Sequence, residues 1–176
     1  MKRFWLILAL AVGLLLLTAC TGESGDDAAK TEDAAEATAV ASVPDSGSFP
    51  YMGEAELTKY LKDNAGRPTM LFFWATWCPS CKQEIPELEA FQKTHGDKVN
   101  IIALSVDDNL QALEKYAAKH PMDLSVYWGG QELARNYQVE AIPTLVIFDK
   151  TGRKIFAQAG VFPQSMLGAM ADKLNQ

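Results

Sequence analysis

Cys78 and Cys81 stand three positions apart in Trp77-Cys78-Pro79-Ser80-Cys81, directly after the apolar run Thr69 to Ala75. The chain has three cysteines, and the third, Cys20, ends a segment that reads as an export leader. The remainder therefore holds these two thiols and no others. Two thiols one helical turn apart can trade electrons and protons with another disulfide. Thiolate is the nucleophile, and a free thiol with a pKa of about 8.5 is mostly protonated at neutral pH. The N-terminus of a helix lowers that value, because its unpaired N–H groups and the positive end of its dipole favour an anion.

The pattern places Cys78 at such an end. It is expected to be the exposed, attacking thiol, with Cys81 deeper and able to resolve a mixed disulfide. Pro79 suits the first helical turn. Trp77 is expected to pack beside the thiols and limit solvent access, or else to be a plain core aromatic. Other readings of the pair carry less. A zinc site needs two further ligands, and His95 and His120, the two histidines, lack ligand spacing to the pair. As a structural staple, so small a loop gives little entropic gain.

Such a pair needs a strand before it and a helix after it. Residues 69–75 are apolar on both faces, the pattern of a central strand. A helix follows over 78–93, with Cys81, Ile85 and Leu88 inward. Before the strand, Leu57, Tyr60 and Leu61 give a helix over 55–64, stopped by Gly66. A second central strand covers 100–106. Asp107 or Asp108 is expected to cap a helix near 109–119, with Pro121 as its stop. A short strand at 124–127 and a short helix at 131–137 come next. Strands at 144–148 and 154–158 flank Asp149-Lys150-Thr151-Gly152, a hairpin turn. Pro163 opens a last helix carrying Met166, Leu167, Met170 and Leu174 on one side. This order predicts an α/β fold with a mixed central sheet flanked by helices.

The N-terminal part has a different character. Lys2 and Arg3 precede an apolar stretch from Phe4 to Leu17. That stretch is shorter than the roughly 20 residues a membrane span needs, so residues 1–19 read as a signal peptide. Leu17-Thr18-Ala19-Cys20 resembles a bacterial lipobox, which implies cleavage before Cys20 and lipid attached to it. Several acyl chains anchor durably where one holds only marginally. Residues 20–48 read as a lipidated cysteine and a disordered acidic tether, with seven acids and one base from Thr21 to Ser48. Such a tether reaches on the order of 30 Å. Residues 49–176 form the folded domain and carry 13 basic and 15 acidic side chains. No basic run invites nucleic acid.

Taken together, the chain resembles the thioredoxin superfamily over residues 54–174, and within it the membrane-tethered thiol–disulfide oxidoreductases of the TlpA and ResA type. Phe73-Trp74-Ala75-Thr76-Trp77-Cys78-Pro79-Ser80-Cys81 is the strongest match. Pro86 matches the proline that kinks the active-site helix. Ala141-Ile142-Pro143-Thr144 matches the segment whose proline is cis and faces the sulfurs. The resemblance implies a thioredoxin fold with a TlpA-like central insertion near 109–127. It also implies that the Ile142 backbone pairs with an extended substrate, as in strand addition.

Plain thioredoxins carry a buried Asp six residues before the first cysteine; here Phe72 stands there. Glu84 matches a glutamate of the ResA type near the pair and is a candidate for proton transfer to or from Cys81, or else a solvated helix-face acid.

The expected protein is thus an extracytoplasmic, lipid-anchored monomer that reduces protein disulfides, with a membrane thiol-electron carrier as donor and no metal or organic cofactor. Cytochrome c maturation is a client pathway of this family. An oxidase or isomerase remains open. A peroxidase lacks its Pro-x-x-x-Thr-x-x-Cys pattern, with Leu71 and Ala75 in the Pro and Thr positions. A thioredoxin-fold copper chaperone would need a Cys-x-x-x-Cys pair, one residue longer than this one.

Overall fold

A computed structural model describes residues 49–176; Cys20, the leader and the acidic segment to Ser48 lie outside the described residues. The chain runs α1 (Glu54–Asp63), β1 (Thr69–Trp74), α2 (Pro79–His95), β2 (Asn100–Ser105), α3 (Leu110–Ala117), β3 (Val126–Trp128), α4 (Gln131–Asn136), β4 (Thr144–Phe148), β5 (Lys154–Ala159) and α5 (Gln164–Leu174). One five-stranded sheet has the order β3-β2-β1-β4-β5. β1 is parallel to β2 and antiparallel to β4, β2 is parallel to β3, and β4 and β5 form the antiparallel hairpin. The sheet is mixed, as the sequence predicts, and β1 lies at its centre.

The central position explains why β1 is apolar throughout. Its side chains alternate between two faces, and both are covered. Met70, Phe72 and Trp74 enter one core cluster with Ile85, Leu88 and Phe91 of α2 and Leu167 and Ala171 of α5. Leu71 and Phe73 enter a second cluster with Leu57 of α1 and Leu133 of α4. All six β1 residues are buried. β5 is the outer strand and is largely exposed, which is why its sequence, Lys154-Ile155-Phe156-Ala157-Gln158-Ala159, is mixed rather than apolar.

The turn between β4 and β5 forms where the sequence places it. Asp149 Oδ1 accepts hydrogen bonds from Thr151 N at 2.8 Å, Thr151 Oγ1 at 2.6 Å and Arg153 N at 3.1 Å. Gly152 takes a φ of 80°, a left-handed conformation that glycine adopts without steric penalty.

Two local expectations are corrected. The cap of α3 is Asn109, whose side chain accepts from Ala112 N at 2.9 Å; neither Asp107 nor Asp108 does this. Asp107 is buried and its carboxylate is taken up by other donors. The third strand is shifted to Val126–Trp128, because its ladder pairs with Ala103 to Ser105 and leaves Leu124 as a packing residue.

Candidate functional site

Cys78 is the N-cap of α2, in extended conformation, with Pro79 opening the first turn. Its Sγ accepts a hydrogen bond from Cys81 N at 3.1 Å. The sequence folds this way because proline fixes a helical φ and needs no N–H partner at the first position. Cys78 and Cys81 are joined as a disulfide, with Cα atoms 5.3 Å apart. The Cys78 sulfur also lies 3.4 Å from Ser80 Oγ and 3.7 Å from Ile142 O. In the reduced state the backbone N–H and the Ser80 hydroxyl are the donors available to a thiolate on Cys78.

Ile142 and Pro143 arrive from 64 residues away in sequence, at the start of β4, next to β1. The Ile142–Pro143 peptide is cis. Ile142 is half-buried and Pro143 buried. The pair and the proline loop are therefore neighbours, brought together by the β1–β4 pairing.

Two site expectations are corrected. Cys78 is not exposed in the disulfide form: it is 3% accessible, and Cys81 is fully buried. Its sulfur is enclosed by the Cys81 bond and the Ile142 carbonyl. Trp77 is 65% exposed, which excludes the plain core aromatic and leaves most of the indole open to solvent.

Glu84 is fully buried on the inner side of α2, which excludes the solvated helix-face reading. Its Oε2 accepts from Phe162 N at 2.6 Å, and its Oε1 has no protein partner. Burial pushes its pKa up from 4.5 to about 7; the Phe162 N–H opposes this and the nearby Glu87 adds to it. A carboxyl near neutrality, one turn beyond Cys81, can hold or release a proton at working pH.

Sequence reasoning missed three contributors. Asp107 was expected as a cap; instead it accepts from Thr76 in the loop before Cys78. Glu87 accepts from Gln164 N at 2.6 Å, capping α5 from α2. Phe162 packs in the same cluster as both cysteines. The one sequence signal for Asp107 was its place just past a central strand, beside Ser105, at the end of the sheet where β1 gives way to the cysteines.

Among the described residues, no group of three or more His, Cys, Asp or Glu side chains is arranged to hold a metal ion. His95 stacks on Phe91 and His120 lies against Tyr116. No helix among the described residues is long and apolar enough to cross a membrane.

A Cys-x-x-Cys disulfide at a helix N-terminus, facing a cis-proline loop beside the central strand of a mixed sheet, defines a redox protein of thioredoxin architecture. A thioredoxin-like family model matches residues 66–154, and the chain belongs to that family. Among curated relatives, it is 30% identical over 95 residues to the thioredoxin-like protein YneN of Bacillus subtilis, covering 52% of this chain and 56% of that one. It is 31% identical over 117 residues to a thiol-disulfide oxidoreductase ResA of Bacillus cereus, covering 65% of this chain and 68% of that one. The crystal structure of StoA from Bacillus subtilis superposes with a TM-score of 0.55 at 26% identity, covering 60% of this chain and 83% of StoA. The chain spans little more than half the length of the first of these curated relatives.

Proposed function

We propose that this protein is an extracytoplasmic thiol–disulfide oxidoreductase that reduces disulfides in protein clients. The observation that carries the reading is Cys78 at the N-cap of α2, accepting the Cys81 N–H and joined to a buried Cys81 beside the cis Ile142–Pro143 bond. Its similarity to ResA and StoA supports the same chemistry.

In the reduced protein, the Cys78 thiolate attacks one sulfur of a client disulfide. The Cys78–client bond forms as the client S–S bond breaks, and the first client thiolate leaves. Cys81 then loses its proton and attacks Cys78 Sγ. The Cys78–Cys81 bond forms, and the second client thiolate leaves. The client gains two electrons and, on protonation of its thiolates, two protons. Glu84, with a pKa near neutrality, is the acceptor for the Cys81 proton. The Ile142 backbone aligns the client chain, and the exposed Trp77 offers it an apolar contact.

A reductase in an oxidising compartment needs electrons from outside it, so a membrane thiol carrier returns the pair to the dithiol. The lipobox at Leu17–Cys20 supports attachment to a membrane by lipid, and the acidic segment to Ser48 supports a tether that lets residues 49–176 reach clients. Apocytochrome c is a candidate client on the family resemblance.

The test is trapping combined with a potential. Cys81→Ser should accumulate a mixed disulfide through Cys78, and Cys78→Ser should form none and lose insulin reduction. Titration of the couple against glutathione should give a potential well below that of its compartment. A potential near those of strong oxidants would reverse the direction, since about 30 mV shifts a two-electron equilibrium tenfold.

A further inference from the structure

Three residues, 75–77, connect the end of β1 to Cys78. The strand ends themselves are already tied: Trp74 pairs with Ser105 in the ladder, and Val106 N donates to Trp74 O at 2.8 Å. The loop beyond is held differently. Cys78 N donates to Ala75 O at 3.1 Å, and Thr76 is gripped by Asp107. Thr76 N donates to Asp107 Oδ2 at 3.0 Å, and Thr76 Oγ1 donates to Oδ1 at 2.7 Å. Ser105 Oγ donates to Oδ2 at 2.7 Å, and Asp107 N donates back to Ser105 Oγ at 3.1 Å.

Asp107 is only 6% exposed and Ser105 is fully buried. Burying a carboxylate is costly unless donors surround it. Here a backbone N–H and two hydroxyls converge on one acceptor-only group. Two of those three donors belong to Thr76, two residues before the reactive sulfur. The strand pairing has no need of them; the loop does.

We propose that Asp107 is a positioning residue for the Cys78–Cys81 couple: by fixing the Thr76 peptide and hydroxyl, it holds Cys78 in its N-cap geometry on α2. This inference rests on the thiol–disulfide chemistry proposed above and adds to it a residue outside the Cys-x-x-Cys motif. The N-cap geometry is what aims the Cys81 N–H at the Cys78 sulfur. A loop free to shift would misalign that donor and weaken the hold of the helix N-terminus on a thiolate.

The sign of the effect separates positioning from simple charge. Asp107 and Glu84 are the buried carboxylates among the described residues. Lys82 is exposed, with Nζ 5.4 Å from the Tyr116 ring centroid. Segments 141–144 and 161–163 bring no titratable side chain to the site. As a mere negative charge near Cys78, Asp107 would disfavour thiolate, and its removal would ease ionisation. As the clamp on Thr76, it favours thiolate, and its removal hinders ionisation.

The experiment is alkylation of Cys78 in the reduced, full-length chain by iodoacetamide across pH, read at the Cys78 peptide by mass spectrometry. Asp107→Ala should move the midpoint to higher pH, slowing alkylation about threefold near neutrality, with the alkaline plateau rate unchanged. Asp107→Asn, which keeps one acceptor oxygen, and Thr76→Val, which keeps the backbone N–H, should shift it less in the same direction. These two variants carry the test if Asp107→Ala fails to fold. A midpoint unmoved or lowered in variants that melt cooperatively overturns the inference. An unsubstituted chain whose Cys78 midpoint is that of an ordinary thiol overturns instead the functional reading beneath it.

Discussion

Glu84 is an acid whose chemistry is changed by its buried surroundings. Its folded pKa of about 7 stands above the ordinary 4.5 because burial penalises the carboxylate more than the Phe162 N–H stabilises it. Between those two values the folded protein holds a proton that the unfolded chain has released. Stability therefore falls as pH rises through that window, and above it the folded state carries a buried charge that costs about 3 kcal/mol. Glu84→Gln removes the charge and keeps an acceptor for Phe162 N. The variant should melt higher than the parent at alkaline pH, with the gap closing toward pH 5, as read by calorimetry. It should also flatten the pH dependence of thiol exchange near neutrality; an unaltered profile would strip Glu84 of its proton-transfer role and leave it a buried structural acid.

At the scale of elements, α2 does more than present the cysteines. Glu84 and Glu87, three positions apart, face the segment that leads into α5 and accept the backbone N–H groups of Phe162 and Gln164. Pro163, the N-cap residue of α5, makes no side-chain cap of its own. Glu87 thus supplies from a neighbouring helix what a Ser or Asp cap supplies within one. Glu87→Ala should cost about 1 kcal/mol, measured as a lower urea midpoint with an unchanged slope. Because the cap holds the start of α5 rather than the sulfurs, the redox potential of the couple should stay where it is.

Residues 49–176 are organised around β1. Its alternating side chains feed both clusters, so neither helical layer has a core independent of that strand. Phe72 and Phe73 are both fully buried, on opposite faces. Phe72→Ala and Phe73→Ala should each cost about 3–5 kcal/mol, against a typical total of about 5–15 kcal/mol. Each should lower the midpoint of a single cooperative transition, with fluorescence and circular dichroism coinciding. Separate transitions for the two faces would show that β1 does not unite them.

Much of this architecture was legible in the chain. An apolar run of strand length, a Cys-Pro-x-Cys turn and a helical pattern after it are local features, and local hydrogen bonding and side-chain period fix them. The hairpin turn at Asp149 to Gly152 was legible for the same reason. What the sequence hid depends on partners far away in the chain. Glu84 reads either as a proton-transfer group or as a solvated helix-face acid until the segment leading into α5 closes over it. Asp107 reads as a helix cap until Thr76, 31 residues earlier, offers better donors. Trp77 reads as a packing partner of the thiols or as a core aromatic; Trp74 and Phe162 fill the core, and Trp77 stays mostly in water. The order of residues determined the redox pair and the strand and helix that flank it, because those rest on contacts within a few positions. The loop that meets the sulfurs was expected through the family resemblance, but only the tertiary structure decided which carboxylates lose their water, because Phe162 covers Glu84 and Thr76 meets Asp107 from positions far along the chain.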